Sequence, residues 1–121
     1  MTPNGFRRIV LALQDVVEGS HMNHPDFRAA NGRIFASLHG DPQVGMAALT
    51  PADQQRFIVD APDVFHPAAG AWGAMGCTLI HLRHANEEAV GEAVTLAWQL
   101  ALTKKPSKAK ITTARTASRR R

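Results

Sequence analysis

Two histidine pairs are the residues of this chain best able to do chemistry: His21 and His24 in HMNHPDFR, and His81 and His84 in HLRH. Imidazole nitrogens are common zinc ligands, and a catalytic zinc is often held by two or three of them. Spacing decides whether either pair can chelate. Residues three apart share a face on a helix but point to opposite faces of a strand, and Pro25 pushes His24 toward extended geometry. HMNH therefore reads as poor ligand spacing, and so does HLRH if it is extended throughout, although a turn after Leu82 would bring His81 and His84 together. A site built from distant segments would draw on His24, Asp26 and His81. The reading adopted is no metal, with the histidines solvated or held by structural hydrogen bonds.

Other chemistries find less support. Ser20 beside His21 and Ser37 near His39 are neighbours in sequence only, without the strand, sharp turn and helix that expose a nucleophilic serine. GAWGAMG does not lead from a strand into a helix as a phosphate-cradling loop would, so its glycines read as turn and packing residues. Cys77 is the single cysteine, which excludes an intrachain disulfide and a cysteine-cluster zinc site and favours a cytoplasmic setting. No cofactor is expected.

The elements that must position these residues follow from periodicity. Phe6, Ile9, Val10, Leu13 and Val17 recur at helical spacing, which predicts an amphipathic helix from about 4 to 18, capped by Asn4 and stopped by Gly19. DFRAA, the AsnGly turn at 31 and 32, and RIFASL read as a hairpin, with Ile34, Ala36 and Leu38 alternating against Phe35, Ser37 and His39. Val44, Met46 and Ala48 form a third, antiparallel strand after the turn GlyAspPro. Thr50, Pro51 and Asp53 open a short helix that ends at AlaPro, 61 and 62. VFHPAAGAWGAMG reads as an ordered loop or an irregular edge strand. TLIHL, 78 to 82, is a last strand, and Asn86, Glu87 and Glu88 start a helix to about Thr103 with Val90, Val94, Ala97, Trp98 and Ala101 inward. Helices and antiparallel strands in this order predict an α+β fold, one sheet with helices gathered on one face.

Charge divides the chain. Its 121 residues carry a formal charge of +4, with 14 Lys and Arg against 10 Asp and Glu. Lys104, Lys105, Lys108, Lys110, Arg115, Arg119, Arg120 and Arg121 supply eight of the 14, leaving 6 cations against all 10 acids, or −4, in residues 1–103. The expected organisation is a domain over 1–103 and a basic tail over 104–121, too poor in large apolar residues to order by itself. Attraction to nucleic acid through bulk charge belongs to the tail. No apolar run approaches the roughly 18 residues of a membrane helix, so no membrane partner is expected.

Four blocks in sequence order, EGSHMNHPDFRAANGRIFASL, GMAALTPADQQ, PDVFHPAAGAWGAMGCTLIHL and EAVTLAW, resemble the MmcQ/YjbR family of small bacterial proteins over roughly residues 6 to 103. The resemblance implies a compact two-layer YjbR-like domain, similar to secretion-chaperone-like folds and sometimes described as a double-wing DNA-binding module. It also implies a protein that is not an enzyme. HPDFR then looks like the entrance to the first hairpin. In a structural role Phe27 packs, Pro25 sets the bend, and Asp26 and Arg28 stabilise the turn. In a functional role His24, Asp26, Arg28, Trp72 and His81 converge on one face to bind something polar and flat. For DNA, the hairpin offers Arg28 and Arg33 before the acidic Asp41, and the eight tail cations supply salt-sensitive, non-specific contacts. The rival expectation is a protein-interaction or chaperone-like module that holds a partner segment on its sheet face.

Overall fold

The computed structural model describes residues 1–40 and 43–106. The elements are α1 (Pro3–Leu11), β1 (Val17–His21), β2 (His24–Arg28), β3 (Ile34–His39), β4 (Val44–Ala48), α2 (Pro51–Asp60), β5 (Phe65–Pro67), α3 (Gly70–Ala74), β6 (Cys77–His81) and α4 (Glu87–Leu102), with a 3-10 turn at Leu82–His84 before α4. All pairings are antiparallel in one six-stranded sheet of order β1-β2-β3-β4-β6-β5. This is the α+β, sheet-and-helix architecture that the sequence predicts.

Register assigns the two faces. Phe27, Ala36, Ala47 and Thr78 form one cross-strand row, and Gly45, Ile80 and Phe65 form the next. All of these are buried, and α1 lies over them: a Cβ on Gly45 would come within 2.7 Å of the Phe6 ring. From α2, Phe57 packs on Phe65 with ring centroids 5.0 Å apart, and α4 adds Val90, Ala93, Val94, Ala97 and Ala101 to the same core. Between Phe27 and Arg28 the β2–β3 register slips, leaving Phe35 without a β2 partner and fully buried beside Ala36.

The first helix is shorter than its apolar spacing predicts. It ends at Leu11, its cap is Thr2 and not Asn4, with Thr2 Oγ1 accepting from the Gly5 N–H at 2.9 Å, and Val17 begins β1. The helix closes at Ala12, the left-handed φ of 60° at Asp15 keeps it from resuming, and the adjacent β-branched Val16 and Val17 favour extended backbone. Val17 is in helical phase with Val10 by coincidence and is 63% exposed. Gly19 accordingly lies within a strand and stops no helix.

This correction explains HMNH. His21 pairs with His24, and the two residues between them, Met22 and Asn23, both take left-handed φ angles of 51° and 67°. The motif is a two-residue hairpin turn of type I′ geometry. Methionine is an unusual choice there because its Cβ opposes positive φ. Since Met22 is 85% exposed and packs on little, changing Met22→Asn together with Asn23→Gly is expected to stabilise the domain by about 1 kcal/mol. A rise in the urea midpoint at unchanged slope would show it; a fall would mean the turn has another geometry.

The second hairpin differs in kind. Gly32 N–H donates to Ala29 O at 2.8 Å, Ala29 N–H donates to Arg33 O at 2.9 Å, and in this turn only Gly32 is left-handed, at φ 84°. The turn also reaches across the fold. Asn31 Nδ2 donates to Ala101 O at 2.9 Å and Lys104 O at 3.1 Å, so the hairpin tip caps the end of α4.

Candidate functional site

The sheet face opposite the helices collects five of the chain's six histidines; His84 lies in the 3-10 turn after β6. One row runs His21, His24, His39, Val44, His81: His21 pairs with His24, the His24 and His39 ring centroids lie 4.5 Å apart across β2 and β3, and Val44 pairs with both His39 and His81. The parallel row runs Gly19, Asp26, Ser37, Met46, Leu79, His66. His66 turns its ring onto His81, again at 4.5 Å between centroids but edge-on. The result is two imidazole pairs on either side of Val44, over a floor of Val44, Met46 and Leu79.

Asp26 anchors the first group. Its carboxylate is fully buried, accepts from Arg28 Nε at 2.9 Å and from an Arg28 terminal nitrogen at 3.2 Å, and lies 2.7 Å from His21 Nδ1. Burial alone would raise its pKa, but the bonds and charges of Arg28 and His21 outweigh it and hold the carboxyl below its ordinary range. Space for this arrangement comes from Gly19, directly across β1, where a Cβ would meet Asp26 Oδ1 at 3.0 Å and Arg28 Nε at 3.2 Å. With Nδ1 turned to the carboxylate, the His21 side chain remains 45% exposed.

The second-rank histidines are tuned the other way. Burial, then the nearby His24 and His21, lower the pKa of His39, whose Nε2 lies 3.3 Å from Ser37 Oγ. Burial, then His66 and His84, lower that of His81. Both rings therefore favour the neutral form near pH 7, a flat aromatic surface with a polar rim. Among the described residues no group of three or more His, Cys, Asp or Glu is arranged to hold a metal ion.

Of the five residues expected to converge, His24, Asp26 and Arg28 meet on β2, and His81 shares their face beyond Val44. Asp26 is spent on Arg28 and His21 and is not presented to a ligand. Trp72 stands on α3, 69% exposed, and makes no ring contact with either histidine pair. Sequence reasoning singled out His21 as half of a histidine pair but left it, with His39 and His66, out of the converging face. The alternation that sets Ser37 and His39 on one face was a usable signal for one of them; the place of His21 was hidden because the start of β1 reads as the end of a helix, and His66 lies in a segment without clear periodicity.

The expected nucleic-acid contacts are placed as follows. Arg28 is engaged with Asp26, and Arg33 Nε donates to Lys105 O at 2.6 Å, at the root of the tail. Lys104 and Lys105 are exposed. Lys108, Lys110, Arg115, Arg119, Arg120 and Arg121 lie outside the described residues. No helix among the described residues is long and apolar enough to cross a membrane.

No family model matches the sequence, and no curated protein matches it. Among solved structures the chain is similar to the crystal structure of Deinococcus radiodurans protein DR2400, family-model domain DUF419, at 17% identity over 89% of this chain and 83% of that one, with a TM-score of 0.71. Identity that low speaks to architecture alone: the chain shares the fold of that DUF419 domain.

Proposed function

We propose that this chain is a non-enzymatic member of the MmcQ/YjbR family that binds nucleic acid weakly, chiefly through the basic segment that begins at Lys104. The carrying observation is the hook at the hairpin tip: Asn31 and Arg33 bond the carbonyls of Ala101, Lys104 and Lys105, which fixes the start of the basic segment against the β2–β3 hairpin. Arg33 of the hairpin and the first two cations of the segment, Lys104 and Lys105, then lie together on an otherwise acidic body. Arg28 serves this patch indirectly, since its guanidinium already neutralises Asp26.

Fluorescence anisotropy with duplex DNA at several salt concentrations tests the reading. Each phosphate neutralised contributes about −0.9 to the slope of log affinity against log salt, so eight cations set a limit near −7. Binding at low salt that fades toward physiological salt, shows little sequence preference, and is lost when the chain is cut after Pro106 is the expected result. That cut keeps the carbonyls that Asn31 and Arg33 need. Equal affinity of the cut chain would move the contact onto the folded domain; no binding by either form would end the reading.

One observation favours the rival class. Trp72 and Met75 are each 69% exposed, in a stretch from Pro67 to Gly76 that carries no charge. An apolar surface of this kind suits a protein partner, and it is the feature to mutate if DNA binding fails.

A further inference from the structure

We infer that the helix-free face of the sheet is a base-stacking surface for single-stranded nucleic acid, with His24 and His39 forming one platform and His66 and His81 the other. The inference rests on the nucleic-acid reading above and gives the folded domain a contact of its own. Single-stranded ligands are held by flat side chains on which unpaired bases stack, and imidazole is one of these. The face supplies such rings in two pairs with centroids 4.5 Å apart, tilted by 53° in the first and perpendicular in the second, so each platform is one ring face flanked by the neighbouring ring and not a continuous plane. Burial holds His39 and His81 toward the neutral form suited to stacking. Val44 separates the pairs in the cross-strand row, so two strand spacings of about 4.8 Å put the platforms about 10 Å apart, across the strand direction.

Charge is permissive as well. Among the described residues Asp26 is the only carboxylate in either row, and it is buried under Arg28 and His21. The other described acids fall elsewhere: Glu18 turns to Arg7 of α1, Asp53 and Asp60 ride on α2, Glu87, Glu88 and Glu92 on α4, and Asp15 and Asp63 lie in connections. A phosphate backbone laid over the rings meets no exposed carboxylate in the rows. A duplex, whose bases are already stacked on one another, has no faces to offer these platforms.

The test uses the full chain and two labelled probes of equal charge, a thymidine single strand and a hairpin duplex, in anisotropy titrations at one low salt concentration. The expected result is at least a tenfold preference for the single strand. The double variant His39→Leu, His81→Leu should lose about tenfold in affinity for the single strand and leave duplex affinity unchanged, whereas His39→Phe, His81→Phe should keep it, because phenylalanine preserves the ring and not the charge. If the leucine variant unfolds at a lower urea midpoint, the exposed His66→Leu serves in its place with a smaller loss expected. Equal affinity for the two probes, unmoved by either substitution, overturns the stacking surface and leaves the basic segment as the contact. Loss with both leucine and phenylalanine also overturns it, since the rings would then act through their nitrogens. Failure to bind either probe overturns both the surface and the broader nucleic-acid reading.

Discussion

Gly76→Ala is expected to cost the domain about 3 kcal/mol or more, and to lower the urea midpoint accordingly. Gly76 joins α3 to β6 at φ 117°, a backbone conformation closed to residues with a Cβ, and an added Cβ would lie 1.8 Å from Leu49 O and 2.8 Å from its carbonyl carbon. Both are backbone atoms, so no rotamer change relieves the clash. The Gly76 carbonyl also accepts from the Leu49 N–H at 3.1 Å and the Thr78 hydroxyl at 2.8 Å. Moving it would disturb the start of the β4–β6 pairing, which begins at Ala48 and Cys77. A midpoint within about 0.5 kcal/mol of the parent would show that this junction is not as tight as described.

Asp26→Ala is the second large effect, expected at about 3 kcal/mol, because it leaves the Arg28 guanidinium, 21% exposed, without its buried partner. Its pH behaviour separates it from a simple packing loss. The carboxyl of Asp26 is held below its ordinary 3.8, so its contribution is full above that value and is lost as pH falls through the folded-state value. His39 and His81 act earlier on the acid side. Their pKa values are depressed from 6.5, so the unfolded chain takes up protons first, and stability declines as pH drops below about 6.5. Urea midpoints from pH 8 to pH 3 should therefore fall in two stages in the parent protein. In the Asp26→Ala chain the histidine stage remains and the most acidic stage is diminished. A parent profile flat down to pH 5 would contradict the assigned burial of the two histidines.

Local signals made most of the fold legible before any coordinates. Thr50 caps α2 through its hydroxyl on the Asp53 N–H at 3.1 Å, and Asn86 caps α4 on the Ala89 N–H at 2.8 Å, as their sequence contexts predict. Gly32 takes positive φ, and β3, β4 and β6 lie where alternation puts them. What failed was a choice between two periods. Val17 satisfied the helical one, and only pairing with β2, a tertiary fact, makes residues 17–21 a strand. With β1 unseen, the turn at Met22 and Asn23 and the place of His21 beside Asp26 were unseen too. The site was legible in part: HPDFR drew notice to the right strand, but its carboxylate proves to be a buried anchor. That His39, His66 and His81 share a face depends on registers among four strands, β3, β4, β6 and β5, and no spacing along the chain encodes those.

The strand order has a consequence for how the chain finds its structure. Strands β1 to β4 follow one another in space as in sequence, so each hairpin closes a short loop and the meander can assemble from local contacts. β6 must instead reach back to β4 after an excursion through α2, β5 and α3, and β5 has only β6 to pair with. Closing that longer loop delays its entropy loss until the meander edge exists to receive it. The two imidazole pairs thus depend on closures of different length: His24 with His39 needs only the β2–β3 hairpin, whereas joining His66 and His81 to the same face needs the longer return of β6 to β4.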